Sequence, residues 1–174
     1  MKKLLSVLLC LMLSLCLIFT ASATSYEEVT SVSEEVVDSY TTYLEDGSYI
    51  VTTITKEIPE SNGISTMGTV TSVAGTKTSA HYNADDEILY SITINASFEY
   101  DVAASVECVG QSCSTKVYAS GYTMEDAVAT RNNYSNYRVC ATASATAVKK
   151  VLFVVTNETE ITSTIYCDYY GNLS

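Results

Sequence analysis

Ile88-Leu89-Tyr90-Ser91-Ile92-Thr93-Ile94-Asn95-Ala96-Ser97-Phe98-Glu99-Tyr100 decides the fold. Ile88, Tyr90, Ile92, Ile94, Ala96, Phe98 and Tyr100 recur at every second position, and Ser91, Thr93, Asn95, Ser97 and Glu99 fill the gaps. A period of two places the first set on one face of a β-strand and the second on the other, so the stretch reads as a strand with one buried side. Thr76, Thr78, Ala80 and Tyr82 alternate with Lys77, Ser79 and His81 just before it, and the polar link Asn83-Ala84-Asp85-Asp86-Glu87 predicts a hairpin. On that reading Lys77, Ser79 and His81 face solvent.

The same rule extends in both directions. Val139, Ala141, Ala143, Ala145 and Ala147 alternate with Cys140, Thr142, Ser144 and Thr146, and Lys149-Lys150 is read as the following turn. Val151, Phe153, Val155, Ile161, Ile165 and Cys167 keep odd parity, so residues 151–168 form one long strand or two interrupted near Asn157. Toward the N-terminus, Tyr40 to Leu44 and Ser48 to Glu57 form a hairpin that turns at Glu45-Asp46-Gly47, where Gly supplies a positive φ. From Pro59 to Gly75 the breakers Asn62, Gly63, Gly68 and Gly75 predict a loop. Thr123 to Arg131 carries a capping Thr, early acids, helix formers and a terminal Arg, which predicts a short surface helix. The expected fold is all-β: one antiparallel β-sandwich of about seven or eight strands with that one helix.

Residues 1–23 read as a secretory signal peptide. Lys2 and Lys3 precede an apolar run from Leu4 to Phe19, then Ala21-Ser22-Ala23, with cleavage expected before Thr24. The run is about 16 residues, short of the ~20 that a spanning helix needs. The product is expected outside the cell, secreted and without a membrane anchor. Residues 24–38 then form an acidic N-terminal arm and 39–174 a single domain. Loss of Lys2 and Lys3 takes the formal charge from −11 to −13, which opposes binding to nucleic acid or anionic lipid.

Four cysteines follow the signal, Cys108, Cys113, Cys140 and Cys167. An even number in an exported chain predicts disulfides, with three connectivities open. A zinc site on Cys108 and Cys113 is the weaker reading, because the one histidine, His81, is remote in sequence.

No motif for catalysis stands out. His81 on a polar face reads as a surface residue, and the cysteines are better used as bridges. Adjacent acids such as Glu34-Glu35 and Asp85-Asp86 point to opposite sides of a strand. Asn83, Asp85, Asp86 and Glu87 crowd oxygens into a turn but lack the spacing of a calcium loop. No catalytic, cofactor or metal residue is therefore assigned. Tyr118, Tyr122, Tyr134, Tyr137, Tyr169 and Tyr170 fall in loops or near the end, where tyrosine suits contact with an extracellular protein or glycan. The expected function is a non-catalytic surface or host-environment binding module. The alternative is a small hydrolase or inhibitor-like effector that uses carboxylates or a bound cation.

The Glu45-Asp46-Gly47-Ser48-Tyr49-Ile50-Val51-Thr52-Thr53-Ile54 hairpin, Gly75-Thr76-Lys77-Thr78, the strand ending Phe98-Glu99-Tyr100, Cys108, and Cys167 with Gly171-Asn172-Leu173-Ser174 carry a resemblance. Over nearly all of the mature chain they resemble a family of small secreted proteins from Gram-positive, clostridial-type gut bacteria that has no assigned activity. The resemblance implies a Cys108–Cys167 bridge and hence Cys113 with Cys140. A 108–167 link would contribute about 4 kcal/mol by constraining the unfolded chain. Two departures touch core and staple only: the second cysteine pair looks added, and Tyr90 stands where the relatives often carry Trp.

Overall fold

A computed structural model describes residues 33–58 and 70–174. Eight strands follow one another in an antiparallel meander: β1 (Ser33–Tyr43), β2 (Tyr49–Ile58), β3 (Val70–Tyr82), β4 (Ile88–Asp101), β5 (Ser105–Val117), β6 (Tyr122–Asn132), β7 (Arg138–Val151) and β8 (Val154–Asp168). β1 to β5 form one sheet in sequence order and β6 to β8 the other, so the β5–β6 turn carries the chain between layers. The result is the expected all-β, sandwich-like fold.

The core forms where the sheets face each other. Ile92, Ile94 and Phe98 of β4 are fully buried, and so are Ala141 and Ala143 of β7. β4 packs on β7, so bulky side chains on one sheet meet a row of alanines on the other. Large against small lets the layers interdigitate at interior density. β3 and β8 approach through smaller groups. Ser79 donates to Ser163 at 3.2 Å, and Ser163 in turn donates to the Lys77 carbonyl at 3.3 Å. Gly75 leaves room for Leu173 and Ile165; a Cβ there would lie 2.7 Å from the Thr55 carbonyl.

β4 and β7 have the facing read from their periodicity, and the β1–β2 turn is also as expected, with Gly47 at φ +84°. Four local expectations are corrected. Thr123 to Arg131 is strand β6, not a helix. It pairs with β7, and a bulge between Glu125 and Val128, with Asp126 at φ +53°, shifts its parity, so Met124 and Ala129 both reach the core. Pairing with a neighbour outweighs the capping signal, and the bulge hides the alternation. In β3 the inner face holds Val73, Gly75 and Ser79, and therefore Lys77 and His81, the reverse of the expected parity. Small polar groups suit this inner face because they let β8 approach. Val70 to Gly75, read as loop, belongs to β3, while Pro59, Asn62, Gly63 and Gly68 lie outside the described residues. The turn read at Lys149-Lys150 lies further on, at Leu152-Phe153.

Ser33 to Asp38, assigned to the acidic arm, form the first half of β1. The remainder of that arm and the signal-peptide reading lie outside the described residues.

Candidate functional site at the turn end

A meander puts alternate turns at the same end of the sandwich. The β1–β2, β3–β4, β5–β6 and β7–β8 turns share one end, and a cleft of about 350 Å³ opens there. Asp46 and Ser48 enter from the first turn, His81 and Asn83 from the end of β3, and Tyr90 from the start of β4. Tyr122 of β6, Lys149 of β7 and Asn157 and Thr159 of β8 close the other side. Both sheets therefore contribute.

Aromatic rings form its floor. His81 stacks on Tyr90 with centroids 4.7 Å apart, and Tyr90 meets Tyr122 at 5.4 Å. Lys149 holds its ammonium over the Tyr122 ring at 5.6 Å. His81, expected as a surface residue, is half-buried because its inward parity carries it into this stack. Burial depresses its pKa below the ordinary imidazole value, which favours the neutral ring near neutral pH. Tyr90 is held above the usual phenol value, first by burial and then by Tyr122 and Asp46.

The polar rim is fixed by local bonds. Asp46 accepts from the Ser48 amide at 3.0 Å and from its hydroxyl, and these bonds hold its carboxyl below the ordinary range. In the β3–β4 turn, Asn83 accepts from the amides of Asp85 and Glu87 at 3.0 and 2.9 Å and donates to the Glu87 carboxylate at 3.0 Å. Tyr49 donates to Asp86 at 2.9 Å. These oxygens brace the hairpin. Among the described residues, no three His, Cys, Asp or Glu side chains are grouped to hold a metal ion. Among the described residues, Asp46 is the one carboxylate that lines the cleft.

The tyrosines singled out in the sequence divide between the two ends. Tyr118 and Tyr122 belong to the cleft end. Tyr134 and Tyr137 follow β6 at the far end, with Tyr169 and Tyr170 beside them: Tyr137 meets Tyr169 at 5.6 Å, and Tyr169 meets Tyr170 at 4.3 Å. There the chain doubles back on β8. Asp168 accepts from the Tyr170 and Asn172 amides and the Asn172 side chain, each at 2.9 Å, and Leu173 plugs the core. Burial alone would raise the Asp168 carboxyl, but these bonds and nearby Arg138 hold it below the usual value.

Sequence reasoning missed the seam between the sheets. β5 and β6 share no backbone ladder; side chains join them instead. Arg131 donates to the carbonyls of Cys108 and Val109, both at 3.1 Å. Asn133 accepts from the Cys108 amide at 3.0 Å and donates to its carbonyl at 3.2 Å.

Among the described residues, Cys108, Cys113, Cys140 and Cys167 are all thiols. Cys108 and Cys167 are fully buried on the inner faces of opposing sheets. Cys167 is pushed up to about 12 by burial, then by Asp168, with a smaller contribution from Cys108. Cys113, opposite Ile94, also faces inward. Cys140 alternates with Val139 and Ala141 and lies on the outer side of β7.

Neither a family model, nor a curated protein, nor a solved structure matches the chain. The class is thus set by the fold alone: an antiparallel, two-layer β protein with an aromatic cleft at one end.

Proposed function

We propose that the protein is an exported, non-catalytic binding module whose turn-end cleft holds a glycan outside the cell. The observation that carries this reading is the cleft itself. His81 and Tyr122 offer ring surface over the buried Tyr90, while Asp46, Ser48, Asn83, Lys149, Asn157 and Thr159 offer donors and acceptors around them. A sugar ring has the matching chemistry: an apolar C–H face that packs on aromatics and a hydroxyl rim that exchanges hydrogen bonds. The signal-peptide pattern and the resemblance to secreted gut-bacterial proteins support placement outside the cell. The burial of Cys108 and Cys167 on the inner faces of opposing sheets supports the proposed bridge, which would form by oxidation of two thiols that are free in the structure.

A screen of the oxidised exported protein against immobilised mucin, cell-wall and host glycans tests the proposal, with Tyr122→Ala in parallel. Saturable binding to one glycan class, weakened at least about tenfold by Tyr122→Ala at a temperature where the variant is still fully folded, is expected, since truncating an aromatic anchor costs about 1.4 kcal/mol or more. Binding that Tyr122→Ala leaves intact would place the ligand elsewhere. Absence of binding to every glycan would sink the reading.

A further inference from the structure

The β7–β8 hairpin ends in a turn that contradicts its own residues. Leu152 and Phe153 are its two central positions, at φ +49° and +68°. Two-residue hairpins with both central residues left-handed take Asn-Gly or Asp-Gly, because a large side chain is disfavoured there. Here the positions carry the most exposed apolar groups at this end of the molecule. Leu152 is 88% exposed and Phe153 is 100% exposed, and Val151 and Val154 beside them are exposed as well. Neither solubility nor turn chemistry favours Leu-Phe at this tip. An outlier of this kind points to use.

The groups behind the tip indicate what it meets. Lys149 and Lys150 lie two to three residues back, about 7–10 Å along the strand. Lys149 lies over the Tyr122 ring at 5.6 Å, Lys150 bonds Glu125 at 3.1 Å, and Lys116 lies over Tyr118 at 4.7 Å on the neighbouring turn. Apolar prong, then Tyr and Lys collar, is the order in which a lipid interface presents acyl chains and then phosphates, and interfacial elements sink about 5–10 Å. The acids Glu45, Asp46, Asp85, Asp86 and Glu87 belong to the turns of the other sheet, whereas Lys149 and Lys150 lie on the strand that carries the prong, Lys150 paired with Glu125.

We propose that the Leu152-Phe153 tip inserts into the outer leaflet of a zwitterionic lipid bilayer, with Lys149, Lys150 and Lys116 at the level of the headgroup phosphates. The formal charge of −11, or −13 once Lys2 and Lys3 leave with the signal, opposes a strongly anionic surface. The proposal revises the expectation that no membrane is engaged after export, and its test is separate from that of the glycan reading because neither tip residue lines the cleft, while Lys149 and Tyr122 belong to both.

The experiment is flotation of the exported protein with phosphatidylcholine vesicles, against a Leu152→Asn, Phe153→Gly double variant. That variant installs the dipeptide the turn favours and should fold at least as stably, so loss of binding would not reflect unfolding. Wild type is expected to float, and the variant to lose at least tenfold of the vesicle-bound fraction. Wild type left in solution, or a variant that floats equally, would overturn the proposal. Phe153→Trp supplies the chain's one tryptophan as a second readout. A blue shift on vesicles and quenching by brominated acyl chains are expected; an emission spectrum unchanged by vesicles, as for a tip built for a protein pocket, would refute insertion. Stronger, salt-sensitive binding to phosphatidylglycerol vesicles would contradict the zwitterionic assignment.

Discussion

Gly171 sits at φ +78° with the Tyr100 ring where a side chain would begin, its Cε1 2.6 Å from an ideal Cβ. Both backbone and space therefore demand glycine. Gly171→Ala is expected to cost about 2–4 kcal/mol, adding left-handed strain to overpacking, and urea unfolding would measure it. His81 makes the second residue-scale prediction. Burial lowers its folded pKa below the ordinary imidazole value, so the unfolded chain takes up its proton first as pH falls. Its contribution to stability is complete above the unfolded value and lost on acidification through the folded one. Thermal melts across this window should therefore show a fall in Tm that His81→Phe reduces. An identical slope in the variant would remove His81 as the source.

At the scale of elements, the β5–β6 seam depends on few groups. Asn133→Ala removes the partner of the part-buried Cys108 amide and is expected to cost about 1–3 kcal/mol, with faster hydrogen exchange at Cys108. The cysteines divide by face. Non-reducing peptide mapping of the exported protein is expected to yield a linked 108–167 pair and no 113–140 pair, because Cys113 faces inward while Cys140 lies on the outside of β7. A 113–140 peptide would mean that β7 presents its other face. Legibility followed the same logic. β4 and β7 were readable because one face of each is continuously apolar and the other polar. β3 was misread because close sheet packing favours Gly75 and Ser79 inside and leaves Ala80 and Tyr82 outside. β6 was misread because its bulge breaks the two-residue period. The seam left no sequence signal, since Arg131 and Asn133 acquire meaning only when β5 lies opposite them.

For the whole molecule, the meander sorts chemistry to its ends. The Asp46 turn, the Asn83 turn, Tyr90 and Tyr122 were each visible in sequence, but their convergence was not, because it requires two sheets packed in one register. His81 gave the clearest available hint as the one histidine in the chain, and inverted parity in β3 concealed its direction. At the far end, the Gly171-Asn172-Leu173-Ser174 closure and the Tyr134, Tyr137, Tyr169 and Tyr170 group provide an internal comparison surface. That arrangement makes the location of binding directly measurable. Amide NMR of the isotope-labelled exported protein, titrated with the glycan recovered from the screen, tests the cleft claim. Shifts concentrated at Asp46, Ser48, His81, Asn83, Tyr122, Lys149 and Thr159, with the far-end tyrosines unmoved, are predicted. Shifts gathered around Tyr134, Tyr137, Tyr169 and Tyr170 instead would contradict it.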